Sequence, residues 1–241
     1  MKTFFPENVK QFRFHSQISI EECVEIFNSK DYCSLDVSDD HLNSKFITDI
    51  SFLRKLKNLK YLSMGAFHLK NYEALNDCIN LEYLIIFNAQ KNIVDISNLN
   101  LVKIKLSNSN NIIGLSNSLK LTSLYWMGYP YQNIDFTENM NNLADFTICD
   151  SRIKNIEGLR GKKDMEYLIF RACPKLTDLS AISNISIKKL EINDCPKLNI
   201  DIMNHVSNVE YLLLIDSVKM SFIEQLKWKF KLRKFRYSYG D

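Results

Sequence analysis

The amino-acid sequence predicts an α/β solenoid, in which short repeats stack to form a parallel β-sheet. Residues 165–215 contain three copies of one pattern, which read MEYLIFRACPKLTDLSAISNIS, IKKLEINDCPKLNIDIMNHVSN and VEYLLLI. The same apolar pattern recurs along most of the 241-residue chain at intervals of 20 to 23 residues. A repeat of this length that carries apolar positions rather than a catalytic motif is typical of proteins that present a long binding surface.

Eight full units and one partial unit follow the pattern. The full units begin at Leu59, Leu81, Leu101, Leu121, Leu143, Met165, Ile187 and Val209, and the partial unit begins at Leu232. Their first, fourth and sixth positions are all apolar, although only 46% of the chain is hydrophobic. Because side chains alternate along a strand, the fourth and sixth positions are predicted to point inward and the third, fifth and seventh to point outward. We expect a strand near positions 3 to 8 of each unit.

The repeat resembles the leucine-rich repeat family, Leu-x-x-Leu-x-Leu-x-x-Asn/Cys-x-Leu, in the short class typified by bacterial internalins. The resemblance covers about residues 32–238. It implies a leucine-rich repeat horseshoe with a parallel β-sheet on the concave face and short 3-10 or loop segments on the convex face. At the usual Asn/Cys position the chain has Phe67, Ala89, Ser109, Tyr129, Ser151, Cys173, Cys195 and Ser217. Ser and Cys are therefore expected to replace the usual Asn ladder.

The return segments share short Asp-apolar-Ser sequences. In these, Asp or Ser is predicted to cap a helical turn while the apolar residue points inward. The three sequences are Asp49-Ile50-Ser51, Asp95-Ile96-Ser97 and Asp178-Leu179-Ser180.

A helical cap is predicted at each end, because a solenoid would otherwise expose its apolar stack. Residues 19–28 have the spacing of an amphipathic helix whose apolar face consists of Ile20, Cys23, Val24 and Phe27. The segment SFIEQLKWKF begins at Ser221 and offers Leu226 and Phe230 as apolar contacts. In both segments a Ser stands three residues before a Glu, as in a capping box.

One domain, 1–241, is predicted, because no linker-like composition interrupts the repeats. It divides into an N-terminal cap, 1–31, repeats, 32–218, and a C-terminal cap, 219–241. The first strand is expected near Leu35, and the next unit starts late enough to predict a convex bulge from Asp39 to Lys45.

The sequence offers no catalytic or metal-binding pattern. The histidines, His15, His41, His68 and His205, lie in different units. No glycine-rich phosphate loop, His-Glu-x-x-His or Gly-x-Ser-x-Gly is present. We therefore predict no enzymatic activity, no catalytic residues, no metal site and no cofactor.

The N-terminal sequence MKTFFPENVKQFRF lacks the apolar stretch of a signal peptide, and no long apolar run predicts a membrane span. We expect a cytoplasmic protein whose six cysteines are free thiols. Cys173 and Cys195 occupy equivalent positions in adjacent units, where a bridge or a metal is an alternative to two buried thiols. Cys149, at an outward position, is expected to react with thiol reagents.

Positive charge is concentrated at the C-terminus, against a net charge of +3 for the whole chain. From Lys219 onward there are seven basic and two acidic residues, giving +5. This segment could contact an acidic protein, nucleic acid or a membrane surface, although a solvated cap is the more common explanation. Nucleic acid is therefore disfavoured as a partner.

The outward strand positions give the main functional signal. Several carry large apolar side chains that core stability does not require, and such residues commonly mark an interaction surface. Units rich in aromatic residues alternate with units that carry charged residues. The alternative to a binding surface is that neighbouring Tyr and Lys side chains simply cover each other. The predicted partner-binding residues on the concave face are Tyr83, Ile85, Phe87, Lys103, Lys105, Tyr125, Met127, Asp145, Tyr167, Ile169, Arg171, Tyr211, Leu213 and Ile215.

Three function classes remain open. The first is a scaffold that binds a folded protein, with an immunity protein that neutralises a cognate bacterial toxin as the sharper hypothesis implied by the resemblance. The second is an effector delivered into another cell. The third is a regulatory subunit of an enzyme. The sequence sets neither the partner nor the oligomeric state.

Overall fold

A computed structural model of the chain describes residues 5–13, 18–37, 47–65, 69–89 and 92–240. The chain forms two compact units, Met1–Leu121 and Thr122–Asp241, and each is described by itself. The single domain 1–241 with its cap boundaries stays a prediction.

The first unit contains helix α1 (Ile20–Ser29) and a parallel sheet. The strands of this sheet are β1 (Gln11–Arg13), β2 (Ser34–Val37), β3 (Tyr61–Met64), β4 (Tyr83–Phe87) and β6 (Lys103–Ser107). Each pairs in parallel with the next in that order. In the return segments β5 (Val94–Asp95) pairs in parallel with β7 (Ile112–Ile113).

The second unit contains six parallel strands and helix α2 (Phe222–Lys231). The strands are β8 (Ser123–Met127), β9 (Asp145–Cys149), β10 (Asp164–Arg171), β11 (Ser186–Asn193), β12 (Val209–Ile215) and β13 (Lys234–Ser238). They pair consecutively. Short 3-10 helices connect several of them, at Asp135–Thr137, Glu157–Leu159, Ser180–Ile182 and Ile200–His205.

The inward pattern predicted from the sequence is confirmed. Every residue at the first, fourth and sixth positions of the eight full units is buried. In the second unit Phe146 and Phe170 meet edge to face on neighbouring strands, with ring centroids 6.4 Å apart. This continuous apolar layer provides the hydrophobic driving force for stacking the repeats. Leucine-rich repeat architecture is therefore present in both units.

The chain leaves each strand through a left-handed residue at position 8 of the repeat. The φ angles there lie between 46° and 73°, in the region that Asn, Asp and Gly tolerate best. The residues are Asn88, Asn108, Gly128, Asp150, Ala172, Asp194 and Asp216. Ala172 alone among these has neither a short polar side chain nor the freedom of glycine, so it carries backbone strain.

Serine and cysteine side chains replace the Asn ladder, as the sequence predicts. The Ser109 hydroxyl donates to the carbonyl of Ser107 and accepts the amide of Ala89, at 3.1 and 3.3 Å. The Ser217 hydroxyl makes the same two bonds, to Ile215 and from Cys195, at 2.7 and 3.1 Å. These side chains satisfy backbone groups that the turn buries.

Cys173 and Cys195 are buried free thiols at the same repeat position. Each thiol lies 3.5 Å from the carbonyl oxygen two residues earlier, that of Arg171 or Asn193. The buried-thiol interpretation therefore fits better than a bridge.

The Asp-apolar-Ser sequences form hydrogen-bonded turns, and the predicted helical turn follows at Ser51–Lys55 and Ser180–Ile182 but not after Asp95. The carboxylates of Asp49, Asp95 and Asp178 accept the amide of the Ser two residues later, at 2.7, 2.9 and 2.7 Å. These bonds, together with bonds to the Ser hydroxyls, lower the pKa of all three carboxyls. The apolar residue of each turn, Ile50, Ile96 or Leu179, is buried.

The N-terminal helix forms as predicted and begins after Ser19, whose hydroxyl accepts the amide of Glu22. Of the predicted apolar face it buries Cys23, Val24 and Phe27, whereas Ile20 is half-buried. The sequence did not indicate strand β1, which adds Phe12 to the same cluster, 6.0 Å from the Phe27 ring. The predicted bulge from Asp39 to Lys45 and the Phe67 position lie outside the described residues.

The C-terminal helix differs from its prediction in which face it buries. Ser221 and Glu224 form the full capping box. The buried residue of the helix is Trp228, whereas the predicted apolar contacts Leu226 and Phe230 are exposed. The prediction was wrong because Trp228, a larger side chain on the opposite face, takes the place against the unit.

Candidate functional site

The outward face of the second unit combines apolar and charged side chains in register. Position 5 of successive strands carries Tyr125, Thr147, Ile169, Glu191 and Leu213, each directly beside the next. Apart from Glu191 these side chains are half-buried. The predicted residues Met127, Asp145, Tyr167, Tyr211 and Ile215 are half-buried too, and Arg171 is exposed. The strand geometry therefore brings the predicted residues of this unit onto one face.

A salt-bridged cluster lies in the middle of this face. The Glu191 carboxylate accepts one hydrogen bond from Nε of Arg171 at 2.6 Å and another from Nζ of Lys189 at 2.8 Å. Only 5% of the Glu191 side chain is exposed, against 47% of Arg171. Burial alone raises the pKa of Glu191, but the hydrogen bonds from Lys189 and Arg171 outweigh it and lower that pKa below its ordinary value. The cluster thus holds Arg171 in a fixed orientation.

Cys149 points outward as predicted but is not accessible, which corrects the expectation that it reacts readily. It is buried, and the Tyr125 hydroxyl hydrogen-bonds to its sulfur. Burial raises the pKa of the Cys149 thiol, although Tyr125 and Arg171 oppose the shift. Burial also raises the pKa of Tyr125 to about 12. A thiol that is covered and protonated reacts slowly.

Near the beginning of the strands, two tyrosines border a shallow depression. Tyr167 and Tyr211 line it together with Lys188, Lys189, Glu210, Arg233 and Lys234. The ammonium groups of Lys189 and Lys234 lie 5.7 and 5.2 Å from the centre of the Tyr211 ring. These cation–π contacts hold basic and aromatic groups side by side.

The outward face of the first unit carries an aromatic cluster of its own. The rings of Tyr61 and Tyr83 meet edge to face, 4.9 Å apart. Phe5 lies 5.9 Å from Tyr61 and 6.5 Å from Tyr83. The sequence did not single out Tyr61 or Phe5. Tyr61 could have been predicted to face outward, because it stands at position 3 of its unit. Phe5 could not, because it lies outside the repeat.

Lysine stems cover part of this face, which is the alternative that the sequence left open. Lys103 lies 5.1 Å from the Tyr83 ring, and Lys105 lies 5.6 Å from the Phe87 ring. Ile85, between these pairs, is buried rather than available to a partner. The prediction that Ile85 offers binding surface is therefore wrong, because long neighbouring side chains enclose it.

Glu191 and Lys189 are the functional candidates that the list of predicted site residues lacks. They stand at outward positions of a unit whose charges were recognised, but no sequence signal showed that Arg171 reaches across to Glu191. That contact joins neighbouring strands diagonally, since Arg171 pairs directly with Asn193.

The described part of the chain, residues 5–13, 18–37, 47–65, 69–89 and 92–240, offers neither a metal-binding cluster nor a membrane-spanning helix. No group of three or more His, Cys, Asp or Glu side chains is arranged to hold a metal ion there. His205 instead shares a 2.8 Å hydrogen bond with the Ser183 hydroxyl. Among the described helices, none has the length and apolar character needed to cross a membrane.

Comparison with solved structures places the fold among internalins. An internalin (InlF) from Listeria monocytogenes superposes with a TM-score of 0.65 at 16% identity, over 90% of this chain and 71% of that protein. Internalin C2 from the same organism gives a TM-score of 0.44 at 18% identity, over 61% of this chain and 74% of that protein. No family model matches the sequence, and no curated protein matches it either. The first likeness confirms the internalin-like leucine-rich repeat fold.

Proposed function

We propose that the protein is an interaction scaffold that binds a folded protein through the outward face of its strands. The observation that carries the proposal is the face of the second unit, where half-exposed Met127, Ile169 and Leu213 accompany the Arg171–Glu191–Lys189 cluster. Large apolar side chains there do not serve the core, which lies on the opposite side of the strands. Aromatic residues, Met and Arg are the residue types enriched at protein interfaces.

The cluster provides a reason for specificity. Glu191 occupies one edge of the Arg171 guanidinium, and about half of the Arg171 side chain stays exposed. A carboxylate or carbonyl of a partner can accept the remaining N–H donors without paying to order the side chain. The apolar residues around it exclude water and supply most of the affinity. Charges such as Asp145 and Lys105 would mainly change the association rate if they lie at the rim.

The sharper form of the proposal is an immunity protein whose partner is a cognate toxin. It rests on the resemblance to small bacterial leucine-rich repeat proteins and on a face that combines apolar anchors with both signs of charge. The alternatives are an effector that is delivered into another cell and a regulatory subunit of an enzyme. An immunity role predicts a toxin gene beside the gene for this chain, whereas an effector role predicts a secretion locus.

The experiment uses one double variant and one matched control. Met127→Ala/Ile169→Ala removes two outward anchors, and Ile79→Ser/Ile93→Ser changes two exposed residues of the return segments. The product of the adjacent gene is titrated against wild-type protein and both variants by calorimetry. We expect each anchor substitution to weaken binding by about 1–3 kcal/mol and the control to bind normally.

A growth assay separates the immunity role from the others. Co-expression of the wild-type chain should rescue cells that produce the neighbouring toxin, and co-expression of Met127→Ala/Ile169→Ala should not. Binding that is unchanged in the anchor variant would exclude this face. Binding without rescue would exclude immunity and leave the scaffold role.

A further inference from the structure

Helix α2 directs an apolar stripe away from the protein. Phe222, Ile223, Leu226 and Phe230 are 72%, 78%, 37% and 89% exposed. We call these four residues the α2 stripe. Their spacing places them along one side of the helix. Isolated exposed apolar residues are common, but four large ones on one helical face are not.

The helix is anchored through its other side, so the α2 stripe is not a core face that failed to pack. Trp228 and Leu232 are buried. The amide of Met220, just before the helix, donates to the Tyr237 hydroxyl of strand β13 at 3.1 Å. The capping box fixes the first turn, since Ser221 and Glu224 bond each other reciprocally. The α2 stripe is therefore presented by a fixed helix.

Lysines border the α2 stripe on both sides. A rotation of about 100° per residue puts Lys229 next to Phe222 and Lys227 next to Ile223. Both lysines are exposed. Further exposed basic residues follow at the end of the helix and along β13, namely Lys231, Arg233, Lys234 and Arg236. Glu224, the acidic residue of the helix, is engaged in the capping box.

We propose that α2 binds the surface of an anionic lipid bilayer, with the α2 stripe inserted and Lys227 and Lys229 among the headgroups. A helix with an apolar face and a Lys-rich polar face lies in the membrane interface. Lysine stems can run along the apolar region while their ammonium groups reach the lipid phosphates. The net charge of +5 from Lys219 onward adds electrostatic attraction to anionic lipids.

Charge also decides against a second copy of this chain as the occupant. In a symmetric contact the same patch meets itself, so the lysines that border one α2 stripe would face those of its partner. Like charges brought together in this way repel. A protein with an acidic groove is a different class of partner, and the experiment below distinguishes it.

The test is co-sedimentation of the 241-residue chain with vesicles. Vesicles of phosphatidylcholine are compared with vesicles that contain about one third phosphatidylserine, at about 0.15 M salt. We expect partitioning to the anionic vesicles to be at least about 10-fold stronger. Lys227→Gln/Lys229→Gln should weaken it roughly 10- to 30-fold, since each lysine near the surface contributes about fivefold. Ile223→Ser/Phe230→Ser should reduce it by a similar or larger factor.

Matched controls keep the result interpretable. Lys175→Gln/Lys197→Gln removes two exposed lysines away from the helix, and Ile79→Ser/Ile93→Ser removes two apolar residues of 65% exposure. Both should sediment like the wild type, and all four variants should melt near the wild-type temperature. Absence of vesicle binding, equal binding to both kinds of vesicle, or binding that ignores the Ile223→Ser/Phe230→Ser change would overturn the proposal. The proposal would also be overturned if the chain did not sediment with the vesicles and instead bound an acidic protein through the α2 stripe.

Discussion

Single residues set the conformation of each turn and the polarity of the outward face. Position 8 requires a left-handed backbone in every described repeat, and Ala172 is the residue least suited to it. Glu191 is nearly buried on a face where its neighbours along the sheet are apolar, and it depends on two basic partners. For both residues we expect a substitution to change the free energy of unfolding in a direction that can be measured.

Ala172→Gly is expected to stabilise the protein. A left-handed conformation costs a residue with a Cβ about 1–2 kcal/mol, and glycine avoids this while losing part of the gain to the greater entropy of its unfolded chain. Urea denaturation should show a gain of about 0.5–1 kcal/mol. Ala144→Gly is the control, because Ala144 has no positive φ and should lose stability. A loss in both variants would mean that Ala172 is not strained.

Glu191→Gln is expected to destabilise the protein in a pH-dependent way. Hydrogen bonds to charged groups contribute about 1.5–3 kcal/mol, so the variant should lose on the order of 2 kcal/mol at pH 7. The folded-state pKa of Glu191 is lowered from 4.5, so the ionised carboxylate stabilises the fold above about pH 4.5. That contribution disappears as the pH falls through the lowered folded-state pKa. Unfolding free energies of wild type and variant, measured from pH 7 to 3, should therefore converge at low pH; a constant difference would contradict the role of the charge.

Among the elements, the two capping helices look alike in sequence but pack differently. Phe27 lies eight residues after the N-cap Ser of α1 and Phe230 nine residues after that of α2, a difference of about 100° around the helix. Phe27 is buried and contacts the rings of Phe12 and Tyr32, whereas Phe230 is exposed. The capping-box spacing predicted where each helix begins. It did not predict the buried face, because that depends on which side chain the end of the sheet can accommodate.

Paired substitutions in the two helices should show this difference. Phe27→Ala creates a cavity and should cost about 3–5 kcal/mol, while Phe230→Ala should stay within about 0.5 kcal/mol of the wild type. Thermal or urea unfolding of the two single variants gives the comparison. Similar losses at both positions would show that the α2 stripe is packed in solution.

Strand β10 permits the same comparison between adjacent residues. Phe170 is fully buried and Ile169 faces outward, so Phe170→Ala should cost about 3–5 kcal/mol and Ile169→Ala less than about 1 kcal/mol. Urea unfolding of each single variant measures both losses. If Ile169→Ala cost as much as Phe170→Ala, the outward assignment of this face would be wrong.

At the scale of the molecule, the repeat made the fold predictable. Leu62, Leu124 and Phe170 could be assigned to the core because a strand has a period of two and each unit repeats the pattern. Strand β1 and the β5–β7 pair could not, because they lie outside the repeating positions. Position in the repeat predicted that Ile169 and Met127 face outward, and the structure has both half-buried on that face. Repeat position did not reveal that Ile85 and Cys149 are covered, since coverage depends on long side chains from adjacent strands.

The pairing of β8 to β12 has a consequence for how such a chain can change over time. Each residue lies beside its counterpart one repeat later, as in Tyr125 beside Thr147 and Ile169 beside Glu191. A gene duplication that copies one whole repeat therefore inserts a strand without disturbing any register, whereas a single inserted codon within a strand turns inward residues outward. Duplication or loss of whole repeats can therefore lengthen or shorten the outward face one strand at a time, and the Cys-Pro-Lys-Leu sequence shared by the units of Cys173 and Cys195 marks the equivalent positions of two such repeats.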